Sequence, residues 1–264
     1  MRLVQLTDLH LNAAPRQGMV DPGNDELFRL VLAHAATAPE RPDVLVLTGD
    51  LVHDGAPSGY RRLAHEVRRH GLRACALPGN HDDPEAMADT LGAEGVFCGT
   101  ALRLGGWSLV LLDTHLPGTD DGELGEAQLS LLEGALGDGQ DTHVLIALHH
   151  HPVPVGSRWI DAMGLRDAPA FWSLIAGHPR VRGVLCGHVH QEHSIRRGGI
   201  PTWTTPATCR QFAPHRDQFT LDDRPPGYRC LALHPDGRVE TSVVRVPPPP
   251  RQVGPTSLSL GVPT

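Results

Sequence analysis

The sequence predicts a layered α/β domain. Three observations point there. The chain carries six short, nearly continuous apolar runs with strand character, helical periodicity falls between most of them, and 264 residues suffice for one large domain or one domain with a small appendage. Near-continuous apolar strands imply burial on both faces, and strand–helix alternation argues for a sheet rather than a bundle.

The predicted strands are "RLVQLTD" (Arg2 to Asp8), "DVLVLTGD" (Asp43 to Asp50), "LRACALPGN" (Leu72 to Asn80), "WSLVLLDT" (Trp107 to Thr114), "THVLIALH" (Thr142 to His149) and "RGVLCGH" (Arg182 to His188). A first helix is expected in "NDELFRLVLAHAAT", capped by Asn24 or Asp25, with Leu27, Leu30 and Val31 at helical spacing. A second runs from Ser58 to a stop at Gly71, with Arg68, Arg69 and His70 suited to its negative end. "GEAQLSLLEGAL" and "APAFWSLIAG" supply two more. After His190, "IPTWTTPA", "GYRCLALH" and "GRVETSVVRV" are strand-like with no helices between, and are expected to form a second, more antiparallel sheet. From Val246 onward the chain is Pro/Gly/Ser-rich and is expected to be extended or disordered. The expected domain is therefore 1–245, with a tail at 246–264.

Composition narrows the function. A net charge of −7 argues against a general nucleic-acid binder, which needs a basic face to neutralise phosphates. No apolar run approaches a membrane span. The five cysteines (Cys75, Cys98, Cys186, Cys209, Cys230) form no C-x-x-C pair and are expected to be reduced. The chain enters "MRLVQLTD" with no leader, so the cytoplasm is the expected location. Arg61, Arg62, Arg68 and Arg69 are expected to form a solvated helix face.

The ends of the strands carry the chemistry. The first ends in "TDLH" with Asp8 and His10, the second in "TGD" with Asp50, and the third in "PGNHDD" with Asn80 and His81. The fifth ends in "LHHHP" and the sixth in "CGHVH" with His188 and His190. In α/β sheets the carboxyl edge is where active sites are built. Carboxylates, an amide oxygen and imidazoles make a mixed N/O donor set, suited to Mn, Fe, Zn or Co. Seven such donors exceed what one tetrahedral ion needs and suit two ions sharing a carboxylate.

The ordered set Asp8-Leu9-His10, Gly49-Asp50, Gly79-Asn80-His81-Asp82, His149 and Gly187-His188-Val189-His190 resembles the calcineurin-like metallophosphoesterase superfamily. "LTGDLVHDG", "LPGNHDD", "LHHHPVPVG", "CGHVHQE" and "TPATCRQFAP" look most like its class III cyclic-nucleotide and glycerophosphodiester phosphodiesterases. The resemblance implies an αββα sandwich of two mixed sheets with the metal site at the carboxyl ends of strands. It implies two metal ions, Mn and/or Fe, with Zn or Co as alternatives. Asp8, His10 and His190 would hold the first, Asn80, His149 and His188 the second, and Asp50 would bridge them. His81 would act on the substrate phosphate, with Asp82 orienting its imidazole. Asn80, His81 and His150 would face substrate; His149 is the ligand of the triplet, His150 turns the other way by strand alternation, and His151 is structural or solvent-facing. His53 is a candidate for supporting the site.

The implied reaction is hydrolysis of a small phosphodiester by a metal-bridging hydroxide, with 3′,5′-cyclic nucleotides such as cAMP as leading substrate. Glycerophosphodiesters or a broader range of monoesters and diesters are the alternative, and a non-catalytic metal-binding module is the reading from another class. Selectivity is expected in the loops Asn12 to Gly23, His115 to Glu123, Val155 to Asp167 and Gln211 to Arg224. Relatives are often homodimers or higher homo-oligomers, and a cap or dimerisation segment is expected around 205–226. No membrane and no stable nucleic-acid partner are expected.

Overall fold

A computed structural model describes residues 1–13, 23–139 and 143–249. Two mixed sheets face each other. In the first, β1 (Arg2–Leu6), β2 (Val44–Thr48) and β3 (Ala74–Leu77) run parallel, and β12 (Gly227–Leu233) and β13 (Val239–Arg245) add antiparallel at the β1 edge, giving the order β13-β12-β1-β2-β3. In the second, β5 (Trp107–Leu111), β6 (His143–Leu148), β7 (Val181–Cys186) and β9 (Ile200–Thr204) run parallel, and β4 (Ala101–Leu104) and β8 (His193–Arg197) close the edges antiparallel. A two-stranded ribbon, β10 (Gln211–Phe212) with β11 (Leu221–Asp222), stands apart.

Period-two alternation explains how continuous apolar runs serve three layers. Leu3, Val44, Val46, Leu109, Leu111, Leu145, Ala147 and Leu185 point between the sheets, where Trp107 and Trp203 join them. Their neighbours Val4, Leu45 and Leu47 point outward beneath α1 (Asn24–Thr37), α2 (Pro57–Arg69) and α3 (Pro84–Ala93), meeting Phe28, Val31, Leu63, Val67 and Met87. On the far side, Val110, Val144, Ile146 and Leu148 meet Leu132, Leu136, Phe171 and Ile175 of α4 (Gly125–Gly137) and α6 (Ala168–Ile175). The order helix, sheet, sheet, helix is the αββα sandwich. A four-residue helix, α5 (Arg158–Asp161), follows the histidine triplet.

The late strands depart from expectation. They form two antiparallel hairpins, but these extend different sheets: β8–β9 joins β7, and β12–β13 joins β1. Unpaired N–H and C=O groups on the β1 and β7 edges recruit them, a demand that local periodicity does not reveal. Helix α3 was also absent from the sequence pattern; Pro84 at its first turn and the Asp83 side chain, accepting from the Ala86 N–H at 3.0 Å, start it. Val246, where the Pro/Gly/Ser-rich stretch begins, is buried with the first core and donates its N–H to the Pro226 carbonyl. Residues 14–22 of the Asn12 to Gly23 loop, Thr142 and most of the tail (250–264) lie outside the described residues.

Candidate metal centre

Parallel strands of both sheets end at the same edge, so their following loops meet over the sandwich. Backbone conformation there is unusual. Asp8, His10, Asp50, His188 and His190 all have positive φ, between 45° and 67°, and only His215 shares this among the other described non-glycine residues. Left-handed backbone costs energy in non-glycine residues and concentrates at functional sites. Here it turns the chain sharply as each strand ends and folds the side chains back over the edge.

Loop-to-loop bonds hold this geometry. The Asp8 and His10 N–H groups donate to the Gly49 and Asp50 carbonyls at 3.1 and 2.8 Å. The His188 N–H donates to both Asp8 carboxylate oxygens at 3.1 Å, and the His81 N–H to Asp50 Oδ1 at 3.0 Å. Glycine is sterically required at several points here, two of them directly against the donors. A Cβ on Gly79 would lie 2.2 Å from Asp50 Oδ1, and one on Gly49, whose φ is +89°, would lie 2.4 Å from His149 Nδ1.

The side chains converge in two overlapping groups. In one, His190 Nε2 lies 3.3 Å from Asp8 Oδ1 and 3.4 Å from His10 Nε2, and His10 Nε2 lies 3.5 Å from Asp50 Oδ2. In the other, His149 Nε2 lies 3.2 Å from Asn80 Oδ1 and 3.5 Å from Asp50 Oδ1, and the His188 ring is 5.1 Å from that of His149. Asp50 stands between the groups, one oxygen toward each.

Tautomers sharpen the picture. His149 Nδ1–H donates to the Thr48 carbonyl at 2.8 Å, and His190 Nδ1–H donates to the Arg210 carbonyl at 2.7 Å. Each Nε2 is therefore the ring atom aimed at the carboxylate or amide oxygens. His188 Nε2 is buried with no hydrogen-bond partner. Imidazole nitrogens gathered against carboxylate and amide oxygens, plus an orphaned buried nitrogen, suit a cation site.

The electrostatics agree. Burial alone would push the His149 imidazolium down, but Asp50 and its hydrogen bond raise it to about 9; at His190 Asp8 likewise overcomes burial and raises it well above the usual value. Burial would raise both carboxyls, but the paired imidazoles hold Asp8 low and Asp50 lower still. Burial drops His10 to about 4, and burial with His150 and His149 takes His188 well below the usual range. Protons at His149 and His190 take the place of cationic charge that the carboxylates demand. The donor set thus fits the two metal ions that the fold implies.

Three expected roles need correction. Asp82 does not orient His81. Its carboxylate accepts from the N–H groups of Leu51, Val52 and Gly79 at 2.9–3.1 Å and from the Tyr60 hydroxyl at 3.0 Å, tying the loop of Asp50 to the loop of Asn80. Burial, then Asp50, raises its carboxyl to about 6 against the pull of those N–H donors. His150 is not positioned for substrate. It is 0% exposed, its Nε2–H donates to the Asp120 carbonyl at 3.1 Å, and its Nδ1 accepts from the Thr114 hydroxyl at 2.7 Å. Strand alternation does not carry it away either: β6 ends at Leu148, and the His150 ring packs 4.6 Å from that of His188. It anchors the 113–122 loop. Arg62 is not on a solvated face: it bonds the Asn12 and Ala13 carbonyls and pairs with Asp25 at 3.1 Å, pinning the chain just after His10. His151 is buried, with Nε2 3.3 Å from Asp161 Oδ1, which leaves the structural alternative.

Asn24 does not cap α1; its amide donates to the His10 carbonyl at 2.9 Å, and Gly23 occupies the cap. His81 stacks on His53 with ring centroids 4.5 Å apart, and His53 Nδ1 is 3.2 Å from His10 Nδ1, so His53 does touch the site. Cys209, which the sequence left without a role, brings its sulfur to 3.9 Å from His190 Nδ1. Phe212 lies flat against His190, centroids 3.9 Å apart and planes 9° off parallel. "TPATCRQFAP" held both residues, but only the packing of β10 against His190 assigns them a place.

Above the cluster opens a cavity of about 210 Å³, lined by His10, Asp50, Asn80, His81, His188 and His190 on its polar side. Trp159, Ile160, Met163 and Phe212 form its apolar side, with Asp120 also on the wall. No helix among the described residues is long and apolar enough to cross a membrane.

The chain has well-matched relatives. The 3′,5′-cyclic adenosine monophosphate phosphodiesterase CpdA of Escherichia coli (strain K12) is 38% identical over 247 residues, covering 93% of this chain and 90% of the relative. The 3′,5′-cyclic-nucleotide phosphodiesterase alr5338 of Nostoc sp. is 34% identical over 245 residues, covering 93% and 92%. Among solved structures, a dimetal phosphatase from Danio rerio shares the fold with a TM-score of 0.66 at 16% identity, covering 93% of this chain and 98% of its own. The profile of the calcineurin-like phosphoesterase family matches residues 1–192, the stretch that contains all seven converging donors. This chain belongs to the calcineurin-like phosphoesterase family.

Proposed function

We propose that the chain is a dinuclear metal-dependent phosphodiesterase acting on 3′,5′-cyclic nucleotides such as cAMP. The observation that carries this reading is the convergence of imidazole, amide and carboxylate donor atoms about Asp50 at the floor of a small cavity, with His188 Nε2 buried and without a partner. The names of the relatives favour a cyclic nucleotide as substrate. Asp8, His10 and His190 would hold one ion and Asn80, His149 and His188 the other, with Asp50 shared. Mn and/or Fe suit this N/O set, with Zn or Co as alternatives. Such ions neutralise the phosphoryl oxygens and lower the pKa of a bound water, so that a nucleophile is available near neutral pH.

The chain's own groups do the rest. The Thr48 and Arg210 carbonyls fix the tautomers of His149 and His190. Asn80 places its amide beside the substrate phosphate. When the phosphorus–oxygen bond breaks, the departing oxygen needs a proton or a positive partner, and His81 at the cavity wall supplies it from its ring N–H. Trp159, Ile160 and Met163 limit water on the opposite wall. Free thiols at all five cysteines fit a cytoplasmic location.

Purified protein should hydrolyse 3′,5′-cAMP, lose activity on exhaustive EDTA treatment and regain it with Mn²⁺. A panel of 3′,5′-cAMP, 2′,3′-cAMP and glycerophosphodiesters with defined Mn²⁺, Fe²⁺ and Zn²⁺ tests the substrate class. Turnover that survives complete metal removal would refute the mechanism, and preference for a glycerophosphodiester would refute the substrate.

A further inference from the structure

We infer that Trp159, Phe212 and Phe219 form a stacking platform for the nucleobase of the substrate, and so set the preference for nucleotides over base-less diesters. This rests on the phosphodiesterase reading above. Only 4% of the chain is Phe, Trp or Tyr, yet three such residues meet beside the cavity. Their ring centroids form a triangle of 5.2–5.3 Å sides, each pair edge to face. They come from two separate segments, α5 and the β10–β11 ribbon; Phe212 and Phe219 lie outside the described apolar cores, and Trp159 packs against the small cluster of Val155, Ile160 and Val189.

Several features mark the trio as a ligand surface. Phe219 is 58% exposed and Leu221, which pairs with Phe212 across the ribbon, is 45% exposed, whereas most large apolar side chains in this fold are buried. Trp159 lines the cavity, and its indole N–H is buried with no hydrogen-bond partner, leaving a donor for a bound acceptor. Phe212 bridges the two functions: one face lies on His190, and its edge contacts the other two rings. A cyclic nucleotide needs such an arrangement, because its anionic phosphate belongs among the imidazoles while its flat base requires an apolar, polarisable face. A glycerol leaving group has no use for it. The segment around 205–226, expected as a cap or a dimer contact, then acts as a wall of the base subsite.

The test compares 3′,5′-cAMP with methyl ribofuranoside 3′,5′-cyclic phosphate, which keeps the cyclic diester and lacks the base. In Trp159→Ala and Phe219→Ala the ratio of kcat/KM for cAMP to that for the base-less diester should fall by about tenfold, chiefly through KM. Trp159→Phe should restore most of it. Phe219 is largely exposed, so its variant is expected to fold. A second readout does not depend on turnover. Trp107, Trp172 and Trp203 are buried, so quenching of tryptophan fluorescence by AMP, but not by ribose 5-phosphate, should report Trp159 and vanish in Trp159→Phe. An unchanged ratio in both alanine variants, or equal quenching by both ligands, overturns the platform. So does an unchanged ratio accompanied by a drop in mass of Phe219→Ala on light scattering, which would make the patch a contact between copies. A wild-type protein that turns over neither diester would instead remove the activity reading, and AMP quenching would still decide the platform.

Discussion

Asp82→Asn separates a structural carboxylate from a catalytic one. In the folded chain Oδ2 accepts from the Gly79 N–H at 2.9 Å, and Oδ1 accepts from the Val52 N–H and the Tyr60 hydroxyl at 3.0 Å each, with the Leu51 N–H shared between them at 3.1 Å. An amide keeps one oxygen. Wherever that oxygen points, its NH2 faces at least one buried donor, most simply the Gly79 N–H. A buried donor left unsatisfied costs about 1–3 kcal/mol, and the remaining bonds lose their charge assistance. Removing a negative charge that Asp50 opposes returns part of this. The balance is a loss of about 3 kcal/mol, which in a domain of this size lowers Tm by about 6–12 °C. Scanning calorimetry of metal-loaded protein reads it directly. Activity should fall with the integrity of the Asp50 and Asn80 loops, and substrate at saturating concentration should not rescue the Tm. A variant with wild-type Tm and a large fall in kcat would refute the structural role and return Asp82 to orienting the His81 ring.

Other substitutions test the site and the sandwich. His149→Ala should lose about one equivalent of metal by elemental analysis, whereas His81→Ala should keep both ions and lose most turnover; equal metal loss in the two would dismantle the division of roles. Gly79→Ala forces a methyl to 2.2 Å from Asp50 Oδ1, so it should displace the shared carboxylate and cut metal content and activity by about a hundredfold or more; near wild-type activity would show that the loop has slack. Leu145→Ala, at a fully buried position between the sheets, should cost about 2–5 kcal/mol in urea unfolding with little change in KM; a loss below about 1 kcal/mol would argue that the sheets do not pack there as described.

Much of this protein was legible in one dimension. Each strand that delivers a donor ends in a short motif, and the chemistry of carboxylate, amide and imidazole at five strand ends restricts the site to a mixed N/O cluster. Period-two alternation in Leu45, Val46 and Leu47 likewise fixes a strand buried on both faces. What stayed hidden depends on partners distant in the chain. Asp82 is adjacent to His81, and adjacency suggests a hydrogen bond between them, yet its acceptors are claimed by N–H groups some thirty residues earlier. His150 follows a predicted ligand, but Thr114 and Asp120 occupy both of its nitrogens. The strands after His190 carry their own pattern, and only the open edges of β1 and β7 determine which sheet each one joins.

The sequence by itself determined the fold class, the family and the kinds of atom available at the strand ends, because those follow from local periodicity and from residue identity. Tertiary structure alone decided that Asp50 faces both groups, that His188 Nε2 is left without a partner, and that Phe212 lies on His190 beside Trp159. Those facts depend on how two sheets pack and how five left-handed residues turn the chain over their edge. Hydrogen bonds and ring contacts between segments 180 or more residues apart leave no trace in the spacing of either segment.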